Sequence, residues 1–323
     1  MTEKLILSAD IGGTNSRFAL FKVSPDRALK MVEKIWLRTR EATSFYELLG
    51  KLRKEGFGRA VDDAWISVIA VAGPVEDGNY SSPPYIPWDI DLKAALKKGL
   101  LKQAYLINDF IAQAYACLGP SGKGAKLIKQ GVSLKGTPIG VVGAGTGLGK
   151  AVLVPVGDDY VALASEGGHG YFSFLKEREF EFLEFYRKNS GQWHITENLV
   201  VSGQGLRYIH WFLTGEELAP EEVTEKVKNS EETLSWMAGF YGRLCRDYAL
   251  NLLCRGGLYI AGGVAARTPE IVLHPEFVRE FCDSPTMGHI LREIPIYLID
   301  DQDSGLWGAA LYGKHIASSS DLQ

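Results

Sequence analysis

The feature that most restricts the fold of this chain is an internal repeat. LILSADIGGTNSRFALF (residues 5–21) and PIGVVGAGTGLGKAVLV (residues 138–154) follow one plan. Each has an apolar strand, a turn with glycines and a threonine (Thr14 or Thr146), and a second apolar strand. Repetition of this kind indicates a repeated structural unit. We predict one glycine-turn hairpin in each half of the chain. The two could face each other across a cleft and hold one polyphosphate; ordinary hairpins remain the alternative.

The glycine turn of the second copy does not match the common phosphate-binding motifs. In GAGTGLGKA (residues 143–151), Ala144 stands where a P-loop needs its first glycine, and Ala151 where it needs a hydroxyl. Lys150 stands where a dinucleotide fingerprint needs its third glycine. The apolar residues that follow predict a strand. We therefore predict a hairpin whose backbone N–H groups can approach an anion, because glycine has no Cβ. Lys150 could help to neutralise charge there, but a lysine just beyond a hairpin is usually solvated, and we expect this one to be.

Length, charge and cysteine usage exclude several classes of partner. The chain has 323 residues, which favours two domains, and its net charge of −4 offers no basic field for nucleic acid or an anionic membrane. The longest apolar stretch, around residues 64–75, is too short to cross a bilayer, and the apolar run before Asp10 is too short for a signal peptide. The four cysteines form no CxxC pair. We predict a reduced, cytoplasmic protein without nucleic-acid or membrane partners.

Hydrophobic periodicity predicts strands alternating with helices along the chain. GPSGKGAK, which begins at residue 119, is a plausible crossing point between domains. A further segment, residues 258–267, predicts a strand, a glycine turn and the start of a helix. The other predicted strands cover residues 5–10, 17–23, 34–40, 64–73, 104–109 and 294–301. The predicted helices cover residues 44–56, 91–102, 176–188, 230–254 and 304–316.

Six motifs occur along the chain in a fixed order: DIGGTNSRFAL, LINDF, GAGTGLG, EGGH, TENLVVSGQG and LYIAGGV. Each is weak alone, but together they make the chain, from about residue 5 to residue 313, resemble the bacterial glucokinase family. That family lies within the actin/hexokinase/sugar-kinase superfamily. The resemblance implies an α/β, two-domain actin-like ATPase (ribonuclease H-like) fold. It also implies that ATP and sugar bind in an interdomain cleft that closes around the sugar.

The same resemblance sets our expectations for domains and activity. We expect a small α/β domain from residues 1–110 and 308–323, and a large α/β domain from residues 111–307. The implied reaction is the ATP-dependent phosphorylation of glucose at its 6-hydroxyl, which gives glucose 6-phosphate and ADP and feeds glycolysis. Relatives suggest a homodimer.

The resemblance implies a sugar site made of five side chains. Asp109, where a predicted strand gives way to a helix, is implied to be the base for the 6-hydroxyl; an N-cap role remains the alternative from the residues alone. Asn108 can donate and accept hydrogen bonds, which suits a sugar hydroxyl. Glu166 and His169 flank two glycines that allow a tight turn, and are implied sugar ligands; a surface pair is the alternative. Glu197 is implied to contact the anomeric end of the sugar, and would otherwise be a solvated helix residue.

The phosphate site is expected around three turns. Asp10 could cap its own turn, or orient toward Mg²⁺ through water, since magnesium keeps much of its hydration. Arg17 is expected to be structural. The resemblance implies a first phosphate turn at Gly12, Gly13, Thr14 and Asn15, a second near the β-phosphate at Gly145, Thr146 and Gly147, and a close approach of adenosine at Gly262 and Gly263.

Two features depart from relatives of this kind. Some relatives carry a CxCGxxGC-type cysteine cluster, and this chain lacks it, so we predict no structural zinc. The family also carries an asparagine three residues before a tryptophan in the loop after the AVAGP strand. Here Tyr85 precedes Ile86-Pro87-Trp88. This difference bears on the identity of the sugar and not on the type of reaction.

The residues are also compatible with other functions. A kinase for mannose, fructose or an amino sugar would use the same chemistry, and polyphosphate could replace ATP as the donor. A sugar-sensing regulator of the same fold would carry an N-terminal DNA-binding extension, for which the first strand at residue 5 leaves no room. A chaperone-like or actin-like ATPase would turn over ATP without sugar.

Overall fold

The computed structural model describes residues 4–320. The chain separates into two compact units: unit 1 runs to Lys123 and resumes at Gln302, and unit 2 is Gly124–Asp301. The first crossing between the units lies within the GPSGKGAK segment that begins at residue 119. Domain boundaries at 110/111 and 307/308 stay a prediction; they fall inside two helices described below.

Unit 1 is built on a five-stranded mixed sheet with the order β3-β2-β1-β4-β7. The first three strands are antiparallel neighbours, whereas β4 lies parallel to β1 and β7 parallel to β4. A short ladder of β5 and β6 lies outside this sheet. The strands are β1 Lys4–Ile11, β2 Asn15–Val23, β3 Leu29–Arg38, β4 Ile66–Val71, β5 Tyr80–Ser81, β6 Ile90–Asp91 and β7 Ala104–Asn108.

The helices of unit 1 cover both faces of this sheet. All six residues of β4 are buried, as expected of a parallel strand with a layer on each face. One face packs on a cluster that includes Phe45, Leu48 and Leu49. The helices before the crossing are α1 Phe45–Leu52, α2 Gly58–Asp63, α3 Leu92–Lys97, α4 Asp109–Ala116 and α5 Pro120–Lys123.

Unit 2 repeats the plan with one extra strand, in the order β11-β10-β9-β12-β13-β8. Its first three strands are again antiparallel neighbours, and β12 and β13 are again parallel additions. Strand β8 pairs antiparallel with β13. The strands are β8 Lys126–Lys129, β9 Ile139–Ala144, β10 Leu148–Val156, β11 Asp159–Ser165, β12 Gly257–Ala261 and β13 Ile296–Leu298.

Helices dominate the rest of unit 2 and enclose its core. The longest, α10, buries residues on several sides, among them Met237, Ala238 and Phe240. The helices are α6 Glu177–Ser190, α7 Glu197–Val200, α8 Gly203–Thr214, α9 Pro220–Val227, α10 Glu231–Leu252, α11 Gly263–Arg267, α12 Glu270–Leu273, α13 Pro275–Cys282 and α14 Gly288–Glu293.

The last helix, α15 Ser304–Ser320, belongs to unit 1. Its apolar residues Leu306 and Ala310 pack with Ile6 and Phe21 of the sheet. A Cβ at Gly308 would lie 1.7 Å from the carbonyl oxygen of Ala112, so only glycine lets α15 approach α4 this closely. Helix α15 therefore completes the core of unit 1, whose sheet begins with β1.

The predicted repeat is present as two antiparallel hairpins. Strands β1 and β2 pair from Lys4↔Val23 to Ile11↔Ser16, and β9 and β10 pair from Ile139↔Leu153 to Ala144↔Leu148. Each hairpin continues into a third antiparallel strand, so the repeat is larger than the sequence suggests.

Candidate active site

In unit 1, the predicted site residues lie at one edge of the sheet. Ile11, Val71 and Asn108 are aligned at the carboxyl ends of the parallel strands β1, β4 and β7. Ligands of open α/β sheets bind at this edge. Asp10 and Asp109 are each one residue away from this alignment, so the sheet brings the predicted magnesium carboxylate and the predicted base to the same edge.

Asp10 is largely buried and lies beside the start of α15. A Cβ at Gly305 would lie 2.7 Å from its Oδ2 atom, so the carboxylate packs against the first turn of that helix. Burial raises the pKa of Asp10, and Arg17 opposes that shift from 3.4 Å. Arg17 also donates to the carbonyl oxygen of Gln302 and lies over the ring of Trp36. These contacts agree with the structural role expected of Arg17.

The first glycine turn is held by contacts to its backbone. The amide of Gly12 donates to the carbonyl oxygen of Asn15 at 3.0 Å, and the Thr39 hydroxyl donates to the Gly12 carbonyl at 2.7 Å. The amide of Thr39 donates to the carbonyl of Thr14. A Cβ at Gly13 would lie 2.8 Å from the carbonyl oxygen of Tyr85. The turn is thus fixed, and the proline-rich loop lies directly against it.

Asn108 and Asp109 mark the junction of β7 with α4. Asn108, not Asp109, is the N-cap residue: its Oδ1 accepts from the amide of Phe110 at 2.8 Å. Its Nδ2 donates to the carbonyl of Gly73 at 2.9 Å. Asp109 is the first helical residue, and its Oδ1 accepts from the same Phe110 amide at 3.0 Å. Both side chains are half-buried.

The loop that holds Tyr85 connects these parts of unit 1. Pro84 packs on Gly73, where a Cβ would lie 2.9 Å from the proline Cδ. Gly73 has a φ of +123°, which L side chains rarely adopt. Asn108 is bonded to the carbonyl of the same glycine. The loop therefore touches both the first glycine turn and the predicted sugar site, and the Tyr85 side chain is half exposed.

In unit 2, the predicted second phosphate turn and the predicted adenosine turn are neighbours. They follow the parallel strands β9 and β12, which are aligned at Gly143↔Ala261. Gly262 has a φ of +89°, and a Cβ there would lie 2.6 Å from the carbonyl oxygen of Ala144. Gly145 has no such constraint, because the nearest atom to its Cβ position is 3.9 Å away. The space beside the Cα atom of Gly145 is therefore unobstructed, while its amide donates to the carbonyl of Gly147 at 2.7 Å.

The EGGH turn packs on β10 through its glycines. A Cβ at Gly168 would lie 2.7 Å from the carbonyl oxygen of Leu148. Glu166 and His169, on either side, have side chains 60% and 68% exposed, and Glu166 Oε2 lies 3.7 Å from His169 Nε2. The amide of Glu197 donates to the carbonyl of Gly170 at 2.9 Å. The backbone thus brings Glu166, His169 and Glu197 into one region of unit 2.

Lys150 is the residue on which the sequence prediction was wrong. It was expected to be solvated, but its side chain is only 6% exposed and its Nζ pairs with Glu197 Oε2. Glu197, in turn, is 16% exposed at its side chain and begins α7. Burial raises the pKa of Glu197, while the hydrogen bond and charge of Lys150 lower it. The pair is a partly desolvated ion pair within the predicted sugar site.

Two residues that sequence reasoning missed support the second glycine turn. Asn198 Oδ1 accepts from the amide of Leu148 at 2.6 Å. The amide of Gly203 donates to the carbonyl of Gly145 at 2.9 Å. Both lie in TENLVVSGQG, a motif that indicates the family but gives no partner for either residue. The motif therefore ties the sugar region to the phosphate turn.

Within residues 4–320, no group of three or more His, Cys, Asp and Glu side chains is arranged to hold a metal ion. A Mg²⁺ ion bound mainly by water and substrate phosphates needs only one or two protein carboxylates. Asp10 at the edge of the sheet fits that requirement. Across the same residues, we find no helix with both the length and the apolar character that a membrane span requires.

Comparisons with known proteins agree on one family. A family model described as "Glucokinase" matches residues 7–316. The glucokinase of Pectobacterium atrosepticum is 32% identical over 329 residues and covers 98% of each chain. A crystal structure of glucokinase from an Antarctic psychrotroph superposes with a TM-score of 0.80 at 26% identity, covering 96% of this chain and 98% of that one. Glucokinase from Balamuthia mandrillaris in complex with glucose superposes with a TM-score of 0.79 at 20% identity, covering 97% and 94%.

Proposed function

Because this chain belongs to the glucokinase family and has the actin-like two-domain ATPase fold, it is an ATP-dependent glucose kinase, and we propose that Asp109 is its catalytic base. It transfers the γ-phosphoryl group of ATP to the 6-hydroxyl of glucose, giving glucose 6-phosphate and ADP. The observation that carries the assignment of Asp109 is its position. It is the first residue of α4, beside the aligned ends of the parallel strands.

The proposed chemistry needs a proton acceptor and a fixed donor. Asp109 accepts the proton of the 6-hydroxyl as the sugar oxygen attacks the γ-phosphorus, and the bond to the β,γ-bridging oxygen breaks to release ADP. A positioned carboxylate base contributes about 10²–10⁴-fold to such a step. Asn108 holds the start of α4 through its Oδ1 and Gly73 through its Nδ2. Its amide group keeps one further donor and one further acceptor position for a sugar hydroxyl.

We assign the triphosphate to the two glycine turns. The proposed phosphate ligands are the turn of Gly12, Gly13, Thr14 and Asn15 and the turn of Gly145, Thr146 and Gly147, through those backbone amides that do not donate within the turns, as the amides of Gly12 and Gly145 do. The unobstructed space beside the Cα atom of Gly145 supports this assignment, because a phosphate can approach the turn closely there. Gly262 and Gly263 would let adenosine approach the backbone. Mg²⁺, held through water by Asp10, would neutralise charge on the phosphates.

The sugar hydroxyls are assigned to Asn108, Asp109, Glu166, His169 and Glu197. The contact between Glu197 and the EGGH turn supports a common site for three of them. A different hexose remains the second candidate, because the half-exposed Tyr85 lies in a loop that touches both Gly13 and Gly73.

We also propose a homodimer that works in the cytoplasm. Cys117, Cys245, Cys254 and Cys282 are all free thiols, three of them buried, which suits a reducing compartment. Light scattering during size-exclusion chromatography would measure the oligomeric state.

The experiment is coupled ADP release with Mg-ATP across a panel of hexoses, with a control that lacks sugar. We expect turnover with glucose. Turnover with another hexose but not with glucose would identify that hexose as the substrate. Turnover without sugar would indicate an ATPase. Glucose binding without turnover would indicate a sensor.

Asp109→Asn tests the catalytic role. We expect turnover to fall by at least about 10²-fold, because the amide cannot accept the proton, while glucose binding by calorimetry stays close to that of the wild type. Asp91→Asn is the matched control: Asp91 is the N-cap of α3 in the same unit, and its Oδ1 accepts from the amide of Ala94. Near-normal turnover in Asp109→Asn would show that Asp109 is not the catalytic base.

A further inference from the structure

Lys150 is a buried cation in the region of unit 2 that carries the predicted sugar ligands. We propose that Lys150 is a positioning residue for the sugar, whose ammonium group orients the Glu197 carboxylate and keeps it ionised. The inference rests on the proposed function, because it matters for catalysis only if Glu197 binds the sugar.

The pair differs from the ion pairs made by Lys34, Lys51, Lys126, Lys176, Lys226 and Lys228. Those lysines have side chains at least 32% exposed, whereas the side chain of Lys150 is 6% exposed. Exposed pairs contribute little because water screens them and long side chains lose entropy. A buried ammonium group must have a partner, since desolvation of an unpaired charge is costly. Lys150 and Glu197 therefore fix each other's positions.

The surroundings of Lys150 also restrict its side chain. Its Cδ lies 3.7 Å and its Nζ 3.8 Å from the position of a Cβ on Gly167, so the stem passes directly beneath the EGGH turn. The Tyr248 ring centroid lies 5.2 Å from Nζ, which favours a cation at that point. The ammonium group is thus held under the turn that carries Glu166 and His169.

The charges around Glu197 make Lys150 the group that favours its ionised form. Burial raises the pKa of Glu197, and so does Asp247 on α10; Lys150 on β10 is the cation that opposes them. Cys245, also on α10, is electrostatically coupled to Glu197 and Lys150, and burial raises its thiol pKa well above the usual range. Without Lys150, the remaining influences therefore favour the protonated carboxyl. An ionised carboxylate accepts hydrogen bonds from sugar hydroxyls at both oxygens and binds them more strongly than a neutral carboxyl.

The test compares Lys150→Met, Glu197→Gln and the double variant, with Lys126→Met as a control that removes an exposed lysine paired with Asp300. Steady-state kinetics with glucose are measured over the pH range in which each protein is folded. We expect Lys150→Met to raise the KM for glucose about tenfold, as for a weakened charged hydrogen bond, with a smaller change in kcat. We expect the acid limb of its kcat/KM profile to move to higher pH, because the protonated fraction of Glu197 rises.

The double variant separates positioning from folding. It carries no carboxylate at residue 197, so deleting Lys150 leaves no buried unpaired anion. If Lys150 acts through Glu197, the double variant and Glu197→Gln have the same KM and pH profile. The comparison of the double variant with Glu197→Gln also tests the inference if Lys150→Met does not fold.

Either of two results would overturn the inference while leaving the proposed function intact. One is that Lys150→Met has the same KM for glucose, and the same acid limb of the kcat/KM profile, as the wild type. The other is a further rise in KM when Lys150 is removed from Glu197→Gln. The absence of glucose-dependent ADP release by the wild type would instead overturn the proposed function, and the inference with it.

Discussion

At the scale of single residues, the glycines of the site fall into two classes. Gly13, Gly168 and Gly262 have no room for a Cβ, because backbone oxygens would lie within 2.8 Å of it. Gly145 has room, since its nearest neighbour would be 3.9 Å away. Gly13, Gly168 and Gly262 are therefore required for folding, whereas Gly145 leaves space for a ligand. Substitution by alanine can therefore separate folding from binding.

We predict opposite results for alanine at Gly262 and at Gly145. Gly262→Ala combines a φ of +89° with a backbone clash, and should lower the free energy of unfolding by about 1–3 kcal/mol. Gly145→Ala should change it by no more than about 0.5 kcal/mol. It should nevertheless raise the KM for ATP, because the methyl group would stand between the turn and the phosphates. Urea denaturation and steady-state kinetics measure the two effects.

A matched control is available beside Gly262. The neighbour of a Cβ on Gly263 is the guanidinium end of Arg267, a flexible side chain that can move. Gly263→Ala should therefore cost much less stability than Gly262→Ala. A wild-type KM for ATP in Gly145→Ala would remove this turn from the ATP site.

Lys150 shows what the sequence could not reveal about single residues. A lysine next to a glycine turn is usually exposed, and its partner, Glu197, lies in a different element. Asn108 is a second case: its amide suggested a sugar contact, yet it also caps α4 and bonds to Gly73. Local patterns identify chemistry-bearing residues, but the pairing of side chains distant in sequence depends on the fold.

At the scale of elements, a buried ion cluster joins three helices of unit 2. Arg243 of α10 is 1% exposed and donates to both Glu179 oxygens, at 2.7 and 2.9 Å. It also reaches Glu280 of α13 at 3.3 Å. Although burial opposes ionisation of Glu179, the hydrogen bonds from Arg243 and the Leu175 amide hold its pKa below the usual range. The cluster fixes α6 and α13 against α10.

Arg243→Met should destabilise unit 2 strongly. It leaves the buried Glu179 carboxylate without its main partner and removes one of the three cations around Glu280; breaking a buried pair in this way typically costs about 3–5 kcal/mol. Arg178→Met is the matched control, because Arg178 links the same helices, α6 and α10, through an exposed pair with Glu232 at 2.6 Å. That change should cost no more than about 1 kcal/mol. Chemical denaturation measures both; equal losses would show that the cluster is not what joins the helices.

The sequence predicted the buried elements better than the peripheral ones. Strands β1 and β4 are rich in apolar residues, and their predicted bounds, residues 5–10 and 64–73, lie within two residues of those observed. Strand β8 has only four residues with a lysine at each end, and β11 exposes Val161 and Leu163. Neither was predicted, because β8 is short and β11 is largely exposed, and neither has a buried hydrophobic pattern of its own.

At the scale of the whole molecule, the two units differ in how the chain supplies them. Unit 2 is one continuous segment, whereas unit 1 needs residues from both ends of the chain. The cluster of Leu306 and Ala310 with Ile6 and Phe21 shows what the last segment adds to the sheet. The sequence predicted a small domain with a C-terminal return, but its exact boundaries depend on contacts that no local pattern encodes.

We predict that the two units behave differently when expressed as separate segments. Residues 124–301 should fold alone and unfold cooperatively, because they hold a complete sheet and a core of their own. Residues 1–123 should lack fixed tertiary packing, since Ile6 and Phe21 lose their cover. Adding a peptide of residues 302–323 should restore it. Near-ultraviolet circular dichroism measures fixed packing; a native-like spectrum of residues 1–123 alone would contradict the prediction.

The position of α15 also has a consequence for how the protein is made. Proteins are synthesised from the amino end at about 5–20 residues per second, and domains generally fold as units. All of unit 2, residues 124–301, is therefore synthesised before α15, the helix that packs on the sheet of unit 1. We therefore expect unit 1, whose first residues are translated before unit 2, to reach its native state after unit 2. Until α15 has been synthesised, Ile6 and Phe21 lack the helix residues that cover them.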